Sequence, residues 1–134
     1  MVRMMTLMAC MAAITGSAAL AKPAIRDVPA LDNGLFAVGL AEEIRRNCPQ
    51  ISGRMFKAFG YLQDLASDAF ELGYTRAEIQ AHIKSDVEKD RLRKRAAIYM
   101  ADQGFDQDSA GYCALGKSEI ERNSITGTLL RVSN

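Results

Sequence analysis

The chain has 134 residues, with 17 Lys and Arg against 16 Asp and Glu and a formal net charge of +1. Ten Gly and three Pro exclude a collagen-like or low-complexity chain, and 25% charged residues of balanced sign beside 49% hydrophobic ones argue against wholesale disorder. What remains is one ordinary globular domain.

The first element is a leader. Arg3 supplies a positive start, Met4 to Ile14 form an apolar run, and Ala19-Leu20-Ala21 is an A-x-A cleavage signal, so residues 1–21 read as a secretory signal peptide. The apolar run is shorter than the roughly 20 residues that a membrane-crossing helix needs. A lipid-attachment reading at Cys10 fails on length, because only a few residues separate Arg3 from Cys10. The expected mature domain, residues 22–134, loses one cation, Arg3, and carries no net charge. It has no global field to draw nucleic acid or anionic lipid, and charges interrupt every later apolar run. Periplasmic or secreted localisation is expected, without nucleic acid as a partner and without stable membrane insertion after cleavage.

Cleavage would leave Cys48 and Cys113, an even pair in an oxidising compartment, and a structural disulfide is expected between them. A redox role is disfavoured, since they form no C-x-x-C motif and neither has a basic cluster beside it.

Residues 22–31, with Pro23 and Pro29, read as an extended arm. Asp32 or Asn33 then caps a first helix through Leu35, Phe36, Gly39, Leu40 and Ile44, which Cys48-Pro49 stops. Ser52 is expected to cap a second helix with the clearest apolar stripe of the chain, including Met55, Phe56, Phe59, Leu62, Ala66 and Phe70. Gly73 ends it. Thr75 and Glu78 match a capping box, and Tyr74 and Ile79 match a hydrophobic staple, for a third helix over residues 76–102. The apolar spacing slips after Val87, and Ser85 with Glu88 forms a second capping pattern, so a kink or break is expected near Ser85. Asp106 or Asp108 caps a fourth helix through Cys113 and Ile120, and residues 124–134 read as a docked coil or short helix. Period-two alternation is absent, which predicts an all-α bundle of about four helices with one disulfide and a C-terminal tail.

Chemistry is sparse. His82 is the only histidine, and its i, i+4 partner Asp86 makes at most a weak metal pair. Nucleophile elbows, phosphate loops and dinucleotide glycine patterns are absent. Asp64 with Asp68, or Glu119 with Glu121, have the spacing of solvated helix faces, so no catalytic residue, metal site or cofactor is expected. The one marked charge cluster surrounds Arg91, Arg93, Lys94 and Arg95. It reads either as a docking patch for an acidic partner or anionic head groups, or as a solvated face offset by Asp86, Glu88 and Asp90.

Taken together, several segments resemble a known family. These are the Val28-Pro29 arm, Gly34-Leu35-Phe36-Ala37-Val38, Glu43-Ile44-Arg45, Cys48, Arg54-Met55-Phe56, Leu72-Gly73-Tyr74, Glu78-Ile79, Cys113-Ala114-Leu115-Gly116, Glu119-Ile120 and Leu129-Leu130-Arg131. The chain resembles the small secreted alphaproteobacterial proteins of domain-of-unknown-function family 5333. The resemblance implies export and paired cysteines, and it offers no catalytic residue. It also suggests the respiratory NADH:quinone oxidoreductase as a partner, because genes of the family can sit near those of that enzyme. The leading expectation is a non-enzymatic exported module that binds a protein partner through the basic helix face or an apolar groove. A periplasmic stress chaperone is the first alternative. A small-ligand carrier with a pocket lined by Met55, Phe59 and Tyr99 is the second.

Overall fold

The computed structural model describes residues 21–134. Residues 1–20, which hold Cys10 and nearly all of the signal peptide expected over 1–21, lie outside the described residues. Six helices and two short strands follow in order: α1 (Pro29–Asn47), β1 (Ile51–Gly53), α2 (Met55–Glu71), α3 (Arg76–Lys84), α4 (Asp86–Asp102), α5 (Ser109–Glu121), α6 (Ile125–Thr128) and β2 (Leu130–Val132). The architecture is mostly helical, as expected. The count of about four is corrected upward, and a two-stranded sheet is added.

The arm is shorter than the prolines suggest. A 3-10 turn at Ile25–Asp27 leads directly into α1, with Pro29 in its first turn. Proline suits that place because its missing N–H would have no intrahelical acceptor there. Asp32 therefore lies inside the helix rather than capping it. Leu31, Ala37, Leu40, Ala41 and Ile44 recur on one buried face, and α1 becomes the central element, touching α2, α4, α5, α6 and β1.

Ser52 is not the cap of α2 either. It lies in β1, which pairs antiparallel with β2 in the register Ile51↔Val132, Ser52↔Arg131 and Gly53↔Leu130. Arg54 takes the N-cap place without a side-chain cap, while its N–H donates to the Leu129 carbonyl at 2.7 Å. Strands of three residues are too short to display alternation, and their partners lie far apart in sequence.

Local signals fare better at the α2–α3–α4 junctions. Gly73 has φ +87°, a left-handed conformation open to glycine, and it turns the chain after α2. Both halves of the Thr75–Glu78 capping box form. At Ser85 the third predicted helix breaks in two: the residue closes α3, and its Oγ accepts the Glu88 N–H to open α4. Asp108 caps α5 by accepting from the Gly111 N–H at 2.7 Å. The tail is docked as α6 and β2, and the Thr126 hydroxyl donates to the Ala37 carbonyl inside the core.

Two apolar clusters hold these elements. The larger joins Leu40, Ile44, Ile51, Met100, Leu115, Leu129 and Leu130, and the smaller joins Ile25, Leu31, Leu65, Ala69 and Tyr74. Full burial of each large side chain is worth roughly 1.5–3 kcal/mol, so the larger cluster is the main source of stability. Cys48 and Cys113 meet within it at disulfide distance, with Cα atoms 5.0 Å apart. The bond fastens the end of α1 to α5. No helix of the described residues is long and apolar enough to cross a membrane.

Candidate functional site

Helix α2 is long but only lightly absorbed by the body. Of its 17 residues only Leu65 and Ala69 are buried, in the smaller cluster, while Ala58 and Tyr61 pack partly buried against the larger one. Leu62 and Ala66 are half-buried, and Met55, Phe56, Phe59 and Phe70 stay exposed. Leu62, Ala66 and Phe70 from α2 stand opposite Ile79 and Ile83 from α3 and Leu92 from α4, with Leu35 and Val38 of α1 as the floor. Between them runs a groove of about 550 Å³. Ala66 and Gly39 line it where larger side chains would fill it, and the break at Ser85 divides its far wall between α3 and α4. Phe70 at 45% and Ile83 at 46% exposure are too open for core residues. Polar groups of both signs, Glu42, Arg76 and Lys89 among them, border the apolar floor.

A cluster of charges closes one end. Glu88 is 4% exposed, and its carboxylate accepts from Arg91 Nε at 2.9 Å and lies 4.0 Å from His82 Nε2. Its other oxygen has Arg26 as charge partner but accepts no well-directed hydrogen bond. Asp32 of α1 accepts from Arg91 and, at 2.9 Å, from Arg95. Arg95 also donates to Asn33 Oδ1 at 2.6 Å and stacks over the Phe36 ring at 4.1 Å. Half-buried ion pairs of this kind link the arm, α1 and α4, and losing one partner would strand a charge. His82 Nε2 is buried without a hydrogen-bond partner. Burial pushes its imidazole below the ordinary value, against the opposing pull of Glu88. Neutral His82 can pack against the groove wall.

The four cations singled out in the sequence thus do not form one free patch. Arg91 and Arg95 turn inward to Asp32, Arg93 lies 3.7 Å from Glu43, and Lys94 pairs with Asp90 at 2.9 Å. Asp86, the i, i+4 neighbour of His82, lies 3.6 Å from Lys89. Among the described residues no group of three or more His, Cys, Asp and Glu converges as for a metal ion. Met55, Phe59 and Tyr99 are not gathered around a pocket. Phe59 is 63% exposed on α2, whereas Tyr99 packs edge-on against Phe36.

Glu119 corrects the reading of its segment as a solvated face. It is 1% exposed, and its carboxylate accepts from the Tyr99 hydroxyl at 2.7 Å, from Arg122 and from the Ser124 hydroxyl. Burial, and then the bond to Glu119, pushes the Tyr99 phenol up. The arrangement ties α4 to the α5–α6 corner, and every oxygen of the carboxylate is engaged. Charge and helical spacing do not separate Glu119 from the exposed Glu121.

Residues 23–131 match the model of a family of unknown function (DUF5333), and the chain belongs to that family. No curated protein and no solved structure matches it.

Proposed function

We propose that this member of DUF5333 is a non-enzymatic binding module that seats an amphipathic helix of another protein in the groove between α2 and the α3–α4 pair. One observation carries the reading: a 550 Å³ apolar groove whose walls include Phe70 and Ile83, each nearly half exposed. Helix-in-groove recognition needs such an apolar floor for side chains at i, i+3, i+4 and i+7, with polar walls that set orientation. Glu42, Arg76 and Lys89 supply those walls. The disulfide supports an extracytoplasmic site of action, and a bond that fixes α1 to α5 keeps the floor rigid, so less ordering is lost on binding.

The test is site-specific photocrosslinking in the native cell. A photoreactive residue at Gln63 in the groove wall should give a discrete protein adduct that Ala66→Glu abolishes, and the same residue at Lys117 on α5 should give none. No adduct at Gln63, or equal adducts from both places, would overturn the assignment.

A further inference from the structure

A second surface begins where the groove ends. At the start of α2, Phe56 is 97% exposed, Met55 69% and Phe59 63%. A phenylalanine exposed to that degree projects from the body and fills no cleft of its own. Around Met55 and Phe56 stand Arg54, Lys57 and, from β2, Arg131, and these five with Gly53 line one shallow hollow. The three cations are exposed, and among the described residues no carboxylate pairs with any of them. Arg131 Nε donates only to the neutral Ser52 hydroxyl, at 3.1 Å. Arg45 borders the same strand, with its Cδ near Gly53, and it holds the Glu42 carboxylate at 2.7 Å. The face is therefore positive as well as apolar. It contrasts with the Arg91–Arg95 region, where each cation has an acidic neighbour.

We propose that this end of α2 docks on an anionic phospholipid surface, with Phe56 and Met55 entering the headgroup–acyl boundary and Arg54, Lys57 and Arg131 contacting lipid phosphates. Charge complementarity selects a polyanion, and shape selects a membrane over an acidic protein. A protein partner would need a preformed pocket for a ring 97% exposed, whereas a fluid bilayer yields around it. Long cationic side chains can remain at phosphate level while the apolar tip lies deeper. With mature charge near zero, the attraction is local, and it acts over about a Debye length. The proposal uses residues other than the groove, so either can fail alone.

The chain contains no Trp, so Phe56→Trp provides a reporter at the site. The full chain carrying it is titrated with vesicles of equal parts phosphatidylglycerol and phosphatidylcholine, and with phosphatidylcholine alone. The expected result is a blue shift of emission with the anionic vesicles only, reversed by high salt. Each cation near an anionic surface contributes roughly five-fold in binding, so adding Arg54→Gln and Lys57→Gln should weaken it about 25-fold. In co-sedimentation, where the unsubstituted chain is the reference, Phe56→Ser should weaken binding about ten-fold. Helical circular dichroism confirms that each variant is folded. Absence of a blue shift with anionic vesicles, or a shift insensitive to the two Gln substitutions, would overturn the proposal. So would a shift produced by an acidic polypeptide and by no vesicle, which would assign the surface to a protein.

Discussion

Removing the disulfide tests the energetic frame of the whole domain. Cys48 and Cys113 are 65 residues apart in sequence, and the bond joins the end of α1 to the middle of α5. Closing a loop of that length in the unfolded chain removes about 15 cal/mol/K of entropy, which is roughly 4 kcal/mol at 25 °C. Domains of this size have about 5–15 kcal/mol in total, so the bond accounts for a large share. Cys48 is fully buried beside Ile44 and Ile51, so alanine is the appropriate replacement, and it adds only a small void. The double variant Cys48→Ala/Cys113→Ala should remain helical but unfold in urea at a much lower midpoint. With a slope of about 1.5 kcal/mol per molar, the midpoint falls by roughly 2.5–3 M. Far-UV circular dichroism of the oxidised protein and the double variant measures this. A midpoint displaced by less than about 0.5 M, with the slope unchanged, would refute loop closure as the origin of the stability.

Two further outcomes follow from local geometry. A Cβ on Gly127 would lie 1.9 Å from the Glu119 carbonyl oxygen, a backbone atom that cannot yield without moving the end of α5. Gly127→Ala should cost about 3 kcal/mol and lower Tm by 10 °C or more, whereas Gly60→Ala, with open space around it, should be neutral or raise Tm slightly; calorimetry compares them. The Lys22 ammonium, together with the Thr75 N–H, holds the Glu78 carboxyl down to about 2. Because that value is depressed, the contribution to stability is present above the ordinary carboxylate range and is lost as pH falls from about 4.5 towards 2. Carboxyl-carbon NMR should show Glu78 titrating near pH 2 and moving upward in Lys22→Ala; an unmoved titration would mean that the arm does not hold it.

The features legible in the sequence are those decided by neighbouring residues. The capping box at Thr75 and Glu78, the turn at Gly73, the interruption at Ser85 and a cap at Asp106 or Asp108, of which Asp108 serves, rest on hydrogen bonds spanning three residues or on one glycine's backbone freedom. The cysteine pairing is legible for another reason: only two cysteines follow residue 21, where the expected signal peptide ends. Tertiary structure decided the rest. Ile51–Gly53 becomes a strand only because Leu130–Val132 arrives beside it, which leaves Ser52 in a sheet and Arg54 at the head of α2. Arg91 and Arg95 look like a solvated basic face in one dimension, yet the packing of α1 on α4 brings Asp32 against them across about 60 positions. Glu119 and Glu121 are indistinguishable by composition, and only the fold of α6 over α5 buries one and exposes the other. The same holds for α2, whose apolar stripe was plain in the sequence. Which part of that stripe enters the core and which remains open as groove and tip depends on how much surface α1 and α3 can cover, and chain-local chemistry carries no record of that.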